Sequence, residues 1–394
     1  MVSSGIIFFD DEDRYTLLPL SYLRPLAEIR IGIWTIHEKW CHYLNTQSFS
    51  FQTSEYLQAG YPIDRLDSTL YIKGNILPDA GLVSAIQNLK NGQALYQNTI
   101  LIAATTNQVI EGNNFSSLDR LEFNFPIRVI QYPEQIFTWN KDELLSDFNA
   151  ITAGRESAIV EKSNQIKSPE NIFVEEGAII EHSILNAVDG PIYIGKNAKI
   201  LDGCMLRNGV AICENAVLKM GAKIYGATTI GPGSKVGGEI KNAVIFGNTN
   251  KSHDGYLGNA VIAEWCNLGA DTNASNLKND YSEVKLWDYS TETLRKTGTQ
   301  FCGLIMGDHS KCGINTMFNT GTIVGVNCNI FGAGFQKNFI PSFSWGGPRN
   351  YKSYKLEKAK HVAALVWNRR HKEFTSADEQ AFEYIYSISA KYRK

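Results

Sequence analysis

The spacing of hydrophobic residues changes character near residue 150, and this change divides the chain into two parts. In the first part, short apolar runs alternate with segments whose apolar residues recur at helical spacing. Such an alternation of strands and helices predicts a sheet that is covered by helices. The predicted strands are 5–9, 70–75 and 99–103, and the predicted helices are 26–44, 79–89 and 140–148.

From residue 172 onward the apolar residues recur at a strict step of six. This step fits neither the period of an α-helix nor the simple alternation of a strand. It is the hexapeptide repeat of a parallel β-helix, in which inward aliphatic side chains stack on the same position one coil away. The repeat occurs in two runs, and its on-phase positions are Ile194, Ile200, Leu206, Ile212, Leu218, Ile224, Ile230, Val236, Met306, Cys312, Phe318, Val324 and Ile330.

Polar residues between the two runs predict an inserted loop at 275–300 that projects from one coil. After the repeats, helical spacing returns in 353–371 and 376–390, and Ser376 to Glu379 has the sequence of a capping box. A helical tail at this place would cover the open strand edges of the last coil. The predicted organisation is an α/β domain (1–150), a linker (151–170), a β-helix (171–347) and a helical tail (348–394).

Composition and charge narrow the class of protein. The formal net charge is -2, so nucleic acid and anionic membranes are not expected as general partners. No apolar run is long enough to cross a bilayer, and no basic region precedes the short N-terminal apolar run, so we expect no signal peptide. The seven cysteines include no C-x-x-C pair, and the sequence therefore predicts reduced thiols in a cytoplasmic protein.

One stretch places reactive side chains where the repeat requires small or aliphatic ones. Residues 251–258 read Lys-Ser-His-Asp-Gly-Tyr-Leu-Gly. With its neighbours, this stretch resembles the acetyltransferase half of the bifunctional N-acetylglucosamine-1-phosphate uridyltransferase/glucosamine-1-phosphate acetyltransferase family, and the whole chain is similar to related proteins of the Bacteroidetes type. The neighbouring motifs that carry the resemblance are Lys241, Asn267-Leu-Gly-Ala270 and Asn276-Leu277. The later motifs Glu283-Val-Lys285 and Gly313-Ile-Asn315 more closely resemble the archaeal sugar-1-phosphate nucleotidyltransferase/acetyltransferase relatives.

The resemblance implies a fold, an assembly and a reaction. The family has a left-handed β-helix and is trimeric, with acceptor and acetyl-CoA sites in clefts between neighbouring helices. Its reaction moves an acetyl group onto a sugar amine, and His253 matches the base that takes the amine proton, a task that suits imidazole near neutral pH. Lys241 and Lys223 match phosphate-binding positions, but Lys223 replaces an arginine and lacks its bidentate fork.

The resemblance also assigns the remaining contacts of the acceptor and of acetyl-CoA, which is a co-substrate. Acetyl transfer from a thioester in this fold requires no metal. The acceptor-binding candidates are Tyr256, Asn267, Asn276 and the loop residue Lys285, with Lys278 as an alternative for the last of these. The candidates for acetyl-CoA binding are Ala270, Ile314 and Gly332, and the last two differ from the serine and alanine of the bacterial enzymes.

The N-terminal half departs from the nucleotidyltransferase pattern. In that pattern a glycine-rich loop holds a triphosphate through its backbone N–H groups, whereas this chain has Asp10-Asp-Glu-Asp13 there. Asn75 replaces a metal-binding aspartate, and an amide is a poorer ligand for Mg²⁺ than a carboxylate. Arg14 and Arg24 remain candidates for nucleotide binding. Mg²⁺ is expected only if this half is active, and one alternative places it on the aspartates of the loop.

Three functions remain open at this point. The first is an acyltransferase that uses acetyl-CoA to N-acetylate an amino-sugar 1-phosphate, in the synthesis of nucleotide-sugar or cell-envelope precursors. The second is a sugar-1-phosphate nucleotidyltransferase, for uridylyl or thymidylyl transfer, that works through a reduced, Rossmann-like N-terminal sheet. The third is a non-catalytic paralogue with a binding or assembly role. We expect a homotrimer with small-molecule partners, including an NTP if the second function applies.

Overall fold

The structure is a computed structural model that describes residues 5–63, 69–108, 110 and 112–393. The chain divides into two compact units, and the segment 133–150, which the sequence assigned to the first domain, belongs to the second unit. The first unit contains Met1–Leu17, Leu23–Ile29 and Trp34–Gln131, and the second contains Leu18–Tyr22, Arg30–Ile33 and Tyr132–Lys394. The α-helices are α1 (Asp13–Thr16), α2 (Ile36–Tyr43), α3 (Glu55–Gln58), α4 (Ala80–Gln87), α5 (Pro133–Thr152), α6 (Leu356–Asn368) and α7 (Ser376–Ile388), and the 3-10 turns are Leu26–Glu28, Pro169–Asn171 and Ala390–Tyr392.

A six-stranded mixed sheet forms the centre of the first unit, and the predicted Rossmann-like α/β character of this part is confirmed. Its two central parallel strands, Ile6–Phe9 and Thr69–Lys73, are buried along their whole length. The strand order is Phe49–Gln52, Ile6–Phe9, Thr69–Lys73, Ile100–Thr106, Gln93–Gln97 and Asp119–Glu122, and a separate antiparallel pair joins Ile76–Leu77 to Arg128–Val129. None of the helices in the described residues has the length and hydropathy that a membrane crossing requires.

The predicted helix 26–44 is wrong in its first half. Only Leu26–Glu28, a short 3-10 turn, and the helix α2 are helical in this segment. The helix begins late because Thr35 caps it: its hydroxyl accepts the N–H of Glu38, and the Glu38 carboxylate accepts the N–H of Thr35 at 2.6 Å. Hydrophobic spacing alone did not reveal this start.

The second unit is a three-sided parallel β-helix, and we name its sides faces A, B and C. The predicted fold class is confirmed, with the left hand taken from the family resemblance. Face A contains Gln165–Lys167, Ile184–Asn186, Met205–Arg207, Lys223–Tyr225, Asn273–Ala274 and Met317–Phe318. Face B contains Ile172–Val174, Ile192–Ile194, Val210–Ile212, Thr228–Ile230, Leu304–Met306, Thr322–Val324 and Phe339–Ile340, and two long strands, Glu239–Ile245 and Tyr256–Ile262, run through both A and B. Face C contains Ile179–Ile180, Lys199–Ile200, Val217–Leu218, Lys235–Val236, Asn250–Lys251, Asn267–Leu268, Lys311–Cys312, Asn329–Ile330, Ser344–Gly347 and an antiparallel last strand, Asn350–Ser353.

The step of six marks the interior of the β-helix. All thirteen on-phase residues named above have between 0% and 5% of their surface exposed. Because the same position is apolar in successive coils, each coil buries the one beside it, and the prediction of inward stacking is confirmed. The β-helix nevertheless begins before residue 171, because Gln165–Lys167 already pairs with Ile184–Asn186. The last part of the predicted linker is therefore the first strand of the repeat.

Helix α5 covers part of face B, and it is longer than the predicted helix 140–148. Its buried Asn140 donates from Nδ2 to the carbonyl oxygen of Ala227 at 2.8 Å and to the Thr229 hydroxyl at 3.1 Å. The Asn140 side-chain oxygen accepts the N–H of Gly32 at 2.7 Å. These hydrogen bonds satisfy the buried side-chain amide of Asn140 and fix the position of α5 on the β-helix.

The insertion 275–300 contains an antiparallel hairpin, Lys285–Asp288 with Thr293–Lys296, which is tied to the start of α5. Arg295 donates to both carboxylate oxygens of Glu134, at 2.6 and 2.9 Å, and its guanidinium lies 3.7 Å from the centre of the Tyr132 ring. Burial raises the pKa of Glu134, and Arg295 acts against this rise. The insertion is therefore anchored on this side.

Helices α6 and α7 form the predicted helical tail and pack on one corner of the β-helix. At this corner Trp265, His309 and Phe343 have positive φ angles of 61°, 60° and 56°, in a region that usually costs a residue with a side chain about 1–2 kcal/mol. Trp367 of α6 stacks on Trp265 at 4.9 Å, and Phe382 of α7 lies 5.2 Å from the His309 ring. The aromatic contacts with the tail offset this strain.

The capping box of the last helix is displaced by one residue from its predicted position. Thr375, not Ser376, accepts the N–H of Asp378, and the Asp378 carboxylate accepts the Thr375 N–H at 2.8 Å. Both candidate pairs have the required spacing, so the sequence alone could not choose between them.

The stack of Trp367 on Trp265 should contribute measurably to the stability of the chain. Replacing Trp367 by alanine removes the stack on Trp265, and we expect the free energy of unfolding to fall by about 2–3 kcal/mol, less than for a fully buried tryptophan. Denaturation in urea measures this change. The matched control is Leu365→Ala on the same helix, because Leu365 is 52% exposed and its loss should change stability by no more than about 0.5 kcal/mol. Equal losses for both variants would contradict the proposed role of the stack.

Candidate active site on the β-helix

Lys251 occupies an inward position of face C that holds an aliphatic residue in the preceding coil. It pairs in register with Val236 and is 1% exposed. Its ammonium donates to the carbonyl oxygens of His253 at 2.9 Å, Gly237 at 3.2 Å and Asp254 at 3.4 Å. Burial lowers the pKa of the Lys251 ammonium to about 8. The turn that carries His253 is therefore held from inside the β-helix by a buried charge.

The same turn leaves the imidazole of His253 in solvent. His253 is exposed, while Gly255 closes the turn with a φ of 118°. A Cβ atom on Gly255 would lie 2.2 Å from the carbonyl oxygen of Thr272, so no other residue fits at this point. The turn thus presents a histidine at a defined corner between face C and face A.

The predicted acetyl-CoA residues lie along the same corner as His253. Neighbouring strands of face C are in register, so residues that follow their ends at equal distance form a column. Ile314 is 72% exposed and Gly332 has a positive φ of 105°. The column consists of His253, Ala270, Ile314 and Gly332, each two residues after a strand end at Lys251, Leu268, Cys312 or Ile330.

Two predicted phosphate-binding lysines project from face A, in two adjacent outward columns. Lys223 pairs in register with Glu239 and then Tyr256, while Tyr225 pairs with Lys241. The Tyr225 hydroxyl donates to Glu239 at 2.6 Å, and the Lys241 ammonium lies 5.7 Å from the centre of the Tyr225 ring. Face A therefore carries cations and hydroxyl groups on the coils beside the His253 turn.

Tyr256 and Asn276, two predicted acceptor-binding residues, contact each other directly. Asn276 donates from Nδ2 to the Tyr256 hydroxyl at 3.1 Å and to the Asn259 side-chain oxygen at 2.8 Å. A Cβ atom at Gly258 would lie 2.3 Å from the Tyr256 hydroxyl, so the glycine of the motif makes room for this pair. The structure brings these residues together, whereas the sequence did not indicate Asn259 as their partner.

A cleft of about 540 Å³ lies between α5, face A and the insertion. It is lined by Lys241, by Lys141 of α5 and by the carboxylate of Asp189, together with the amides of Asn242 and Asn259. Two ammonium groups and several amide donors can hold a phosphorylated sugar, because ammonium groups bind phosphate and a cleft of this volume accommodates a small ligand. Lys141 was not predicted, since nothing in the repeat indicates which helix covers the coil.

Other predicted residues lie elsewhere. Asn267 projects from face C, where its side-chain oxygen accepts from Asn250 at 2.7 Å. Lys285 is exposed on the inserted hairpin, and Lys278 donates to the carbonyl oxygen of Glu283 at 2.9 Å. Within the described residues, no hydrogen bond or ion pair links these three side chains to His253. Their predicted roles in acceptor binding stay predictions.

In the first unit, Arg14 is occupied by structural contacts. It is buried, and its guanidinium pairs with Asp10 at 2.5 Å and donates to Thr53 and Tyr56 at 3.1 Å. Burial raises the pKa of Asp10, although Arg14 acts in the opposite direction. Arg24 is also buried. These arginines are placed in the interior of the unit, where a nucleotide phosphate would have to displace existing partners to reach Arg14.

The acidic loop does not fit a divalent metal. The Lys73 ammonium forms ion pairs with both Asp11 and Asp13, the second at 2.7 Å, and Asn75 donates to Asp13 at 3.0 Å. Lysine therefore supplies the positive charge between these carboxylates. Among the described residues, no group of three or more histidine, cysteine, aspartate or glutamate side chains is arranged to hold a metal ion.

Parts of the chain are similar to known proteins. Residues 6–156 match the family model of sugar nucleotidyl transferases. The bifunctional protein GlmU of Methanocaldococcus jannaschii is 38% identical over 90 residues, which cover 23% of this chain and 21% of that protein. A bifunctional sugar-1-phosphate nucleotidylyltransferase/acetyltransferase of Sulfurisphaera tokodaii is 30% identical over 166 residues, 37% of this chain and 41% of that protein. The chain is a relative of these bifunctional transferases.

The relationship to the bifunctional transferases is partial in extent. The matches span about a fifth to two fifths of the length of these curated relatives. Among solved structures, LpxA, a UDP-N-acetylglucosamine acyltransferase from Bacteroides fragilis, is 16% identical with a TM-score of 0.29, over 59% of this chain and 83% of that one.

Removing the buried Lys251 ammonium should loosen the turn that carries His253. In Lys251→Met the side chain still fills the interior, but the hydrogen bonds to the turn are lost. Bonds from a charged donor contribute about 1.5–3 kcal/mol each, so we expect amide hydrogen exchange in 252–255 to become at least about tenfold faster. Hydrogen–deuterium exchange with mass spectrometry measures this exchange rate. Lys199→Met, an exposed lysine of face C, is the control, and unchanged exchange in Lys251→Met would contradict the tethering role.

Proposed function

We propose that this chain is an acyltransferase that moves an acetyl group from acetyl-CoA to the amine of an amino-sugar 1-phosphate. The observation that carries the proposal is the corner where exposed His253 shares a column with Ala270, Ile314 and Gly332. One end of this corner adjoins face A, which provides Lys241 for a phosphate group. The partial relationship to the bifunctional transferases supports the same reaction class.

The chemistry requires only groups that this chain supplies. The neutral imidazole of His253 accepts a proton from the sugar amine as the amine nitrogen attacks the thioester carbonyl. The carbon–sulfur bond then breaks, and the leaving thiolate takes the proton back from the imidazolium, which gives an amide and free CoA. Lys241 and Lys223 hold the acceptor phosphate, so the reacting groups stay in position.

The open geometry of the corner supports an assembly in which a second copy covers it. His253 and Ile314 face solvent in the single chain, and an acceptor held only on face A would leave the acyl-CoA column bare. A homotrimer that places a second copy against this corner would close the site, as the family resemblance implies. We propose such a trimer, working in the cytoplasm in the synthesis of nucleotide-sugar or cell-envelope precursors.

Removal of the proposed base tests the reaction. We expect the purified chain to release CoA from acetyl-CoA in the presence of glucosamine 1-phosphate or a related amino-sugar phosphate. His253→Ala should lower kcat/KM at least about a hundredfold, the usual contribution of a general base. His361→Ala on α6 removes another exposed histidine and should leave turnover unchanged. The proposal fails if no amino-sugar phosphate supports turnover, or if His253→Ala retains full activity.

A second candidate function is nucleotidyl transfer by the first unit, which the family match of residues 6–156 favours. The Lys73 ammonium argues against this function. It forms ion pairs with Asp11 and Asp13, whereas a phosphate-bound metal at this place would need free carboxylates. We rank this function second, and a non-catalytic role third.

Pyrophosphate release decides between the two units. With UTP or dTTP and a sugar 1-phosphate, we expect no release above background, because Lys73 neutralises the acidic loop. A coupled pyrophosphate assay makes this measurement on the full chain. Release that persists in His253→Ala and disappears in Arg14→Ala would instead establish nucleotidyl transfer in the first unit.

A further inference from the structure

Face C carries a second polar cleft, which the proposed reaction does not explain. Neighbouring strands are in register there, so their outward residues lie about 4.8 Å apart along one column. The C-terminal end of α6 stands beside this column and closes a cleft of about 350 Å³. The column residues are Lys235, Asn250, Asn267 and Lys311, and the residues that directly follow α6 are Arg369 and Arg370.

The cleft contains four cations and no matching carboxylate. Lys235 and Arg369 are exposed, whereas Lys311 and Arg370 are half-buried. Lys311 donates to the carbonyl oxygen of His309 at 2.8 Å, and Arg370 donates to that of Gly233 at 2.8 Å. In the part of the chain that the structure describes, none of the four forms an ion pair. Backbone carbonyls orient these groups without neutralising them.

Unpaired cations in a cleft carry a free-energy cost that an anion removes. Burial lowers the pKa of the Lys311 ammonium to about 8, and burial with the adjacent Arg369 lowers the pKa of Arg370. Removing charge from water is costly unless a partner of opposite sign is present. A bound anion would supply that partner to both groups at once.

We propose that this cleft binds the phosphate group of a small molecule. Guanidinium and ammonium groups are the usual ligands of phosphate, and the side-chain amides of Asn250 and Asn267 add uncharged donors on the floor. The cleft has room for a diphosphate or a phosphate with part of its carrier. The phosphate belongs either to the acyl donor or to the sugar acceptor, which share this chemistry. The inference rests on the charge of the cleft and does not require that His253 is a base.

Calorimetric titration of the full chain with pyrophosphate and inorganic phosphate tests the site. We expect wild-type protein to bind pyrophosphate, and added salt to weaken the binding. Lys311→Met and Arg369→Met should each raise the Kd about tenfold or more, because each removes a charge-assisted contact. Lys199→Met, two coils away on the same column, should bind as wild type does. An unchanged unfolding midpoint in each variant shows that the fold is intact.

Titration with CoA, 3′-dephospho-CoA and glucosamine 1-phosphate identifies the source of the phosphate. Weakening of CoA or dephospho-CoA binding in Lys311→Met assigns the cleft to the acyl donor, and weakening of glucosamine 1-phosphate binding assigns it to the acceptor. Pyrophosphate binding is measured without acyl transfer, so the cleft is tested even if the proposed reaction fails. The proposal is overturned if no probe binds, or if every probe binds Lys311→Met as tightly as wild type.

Discussion

Each coil of the β-helix is held by the coil beside it, because its backbone hydrogen bonds and its inward side chains both depend on the neighbour. A strand of two or three residues has no stability alone, and stacking of identical apolar positions supplies what length does not. The interior therefore holds mainly apolar or small side chains. Lys251 carries a charge there, and it is accommodated because three carbonyl oxygens surround its ammonium. The same register that builds the core thus places a buried charge under the His253 turn.

Much of this architecture could be predicted from the sequence. The step of six predicted the β-helix and its on-phase interior, because one residue in six must be buried for coils to stack. The resemblance assigned Tyr256 and Asn276 to one site, and the structure brings these two side chains into contact. The column that joins His253 to Ile314 also follows from periodicity, once the length of the insertion is known.

Other features depended on contacts that no periodicity records. The partnership of α5 with face B rests on Asn140, a polar residue in a helix that the hydrophobic pattern assigned to the first domain. The cationic cleft exists because the tail brings Arg369 beside Lys311, from distant parts of the sequence. Lys251 looked like an interruption of the repeat, since a sequence cannot show that a lysine points inward. The loop aspartates looked free to bind a metal, since their pairing with Lys73 is a tertiary contact.

The corner formed by Trp265, His309 and Phe343 has a consequence for the synthesis of the chain in the cell. Trp265 leaves the ribosome about a hundred positions before Trp367, the residue that stacks on it. At about 5–20 residues per second, this ring waits roughly 5–20 seconds without its cover. During synthesis the growing β-helix therefore exposes the apolar ring of Trp265 to other nascent chains. Completion of the last two helices ends this vulnerable interval.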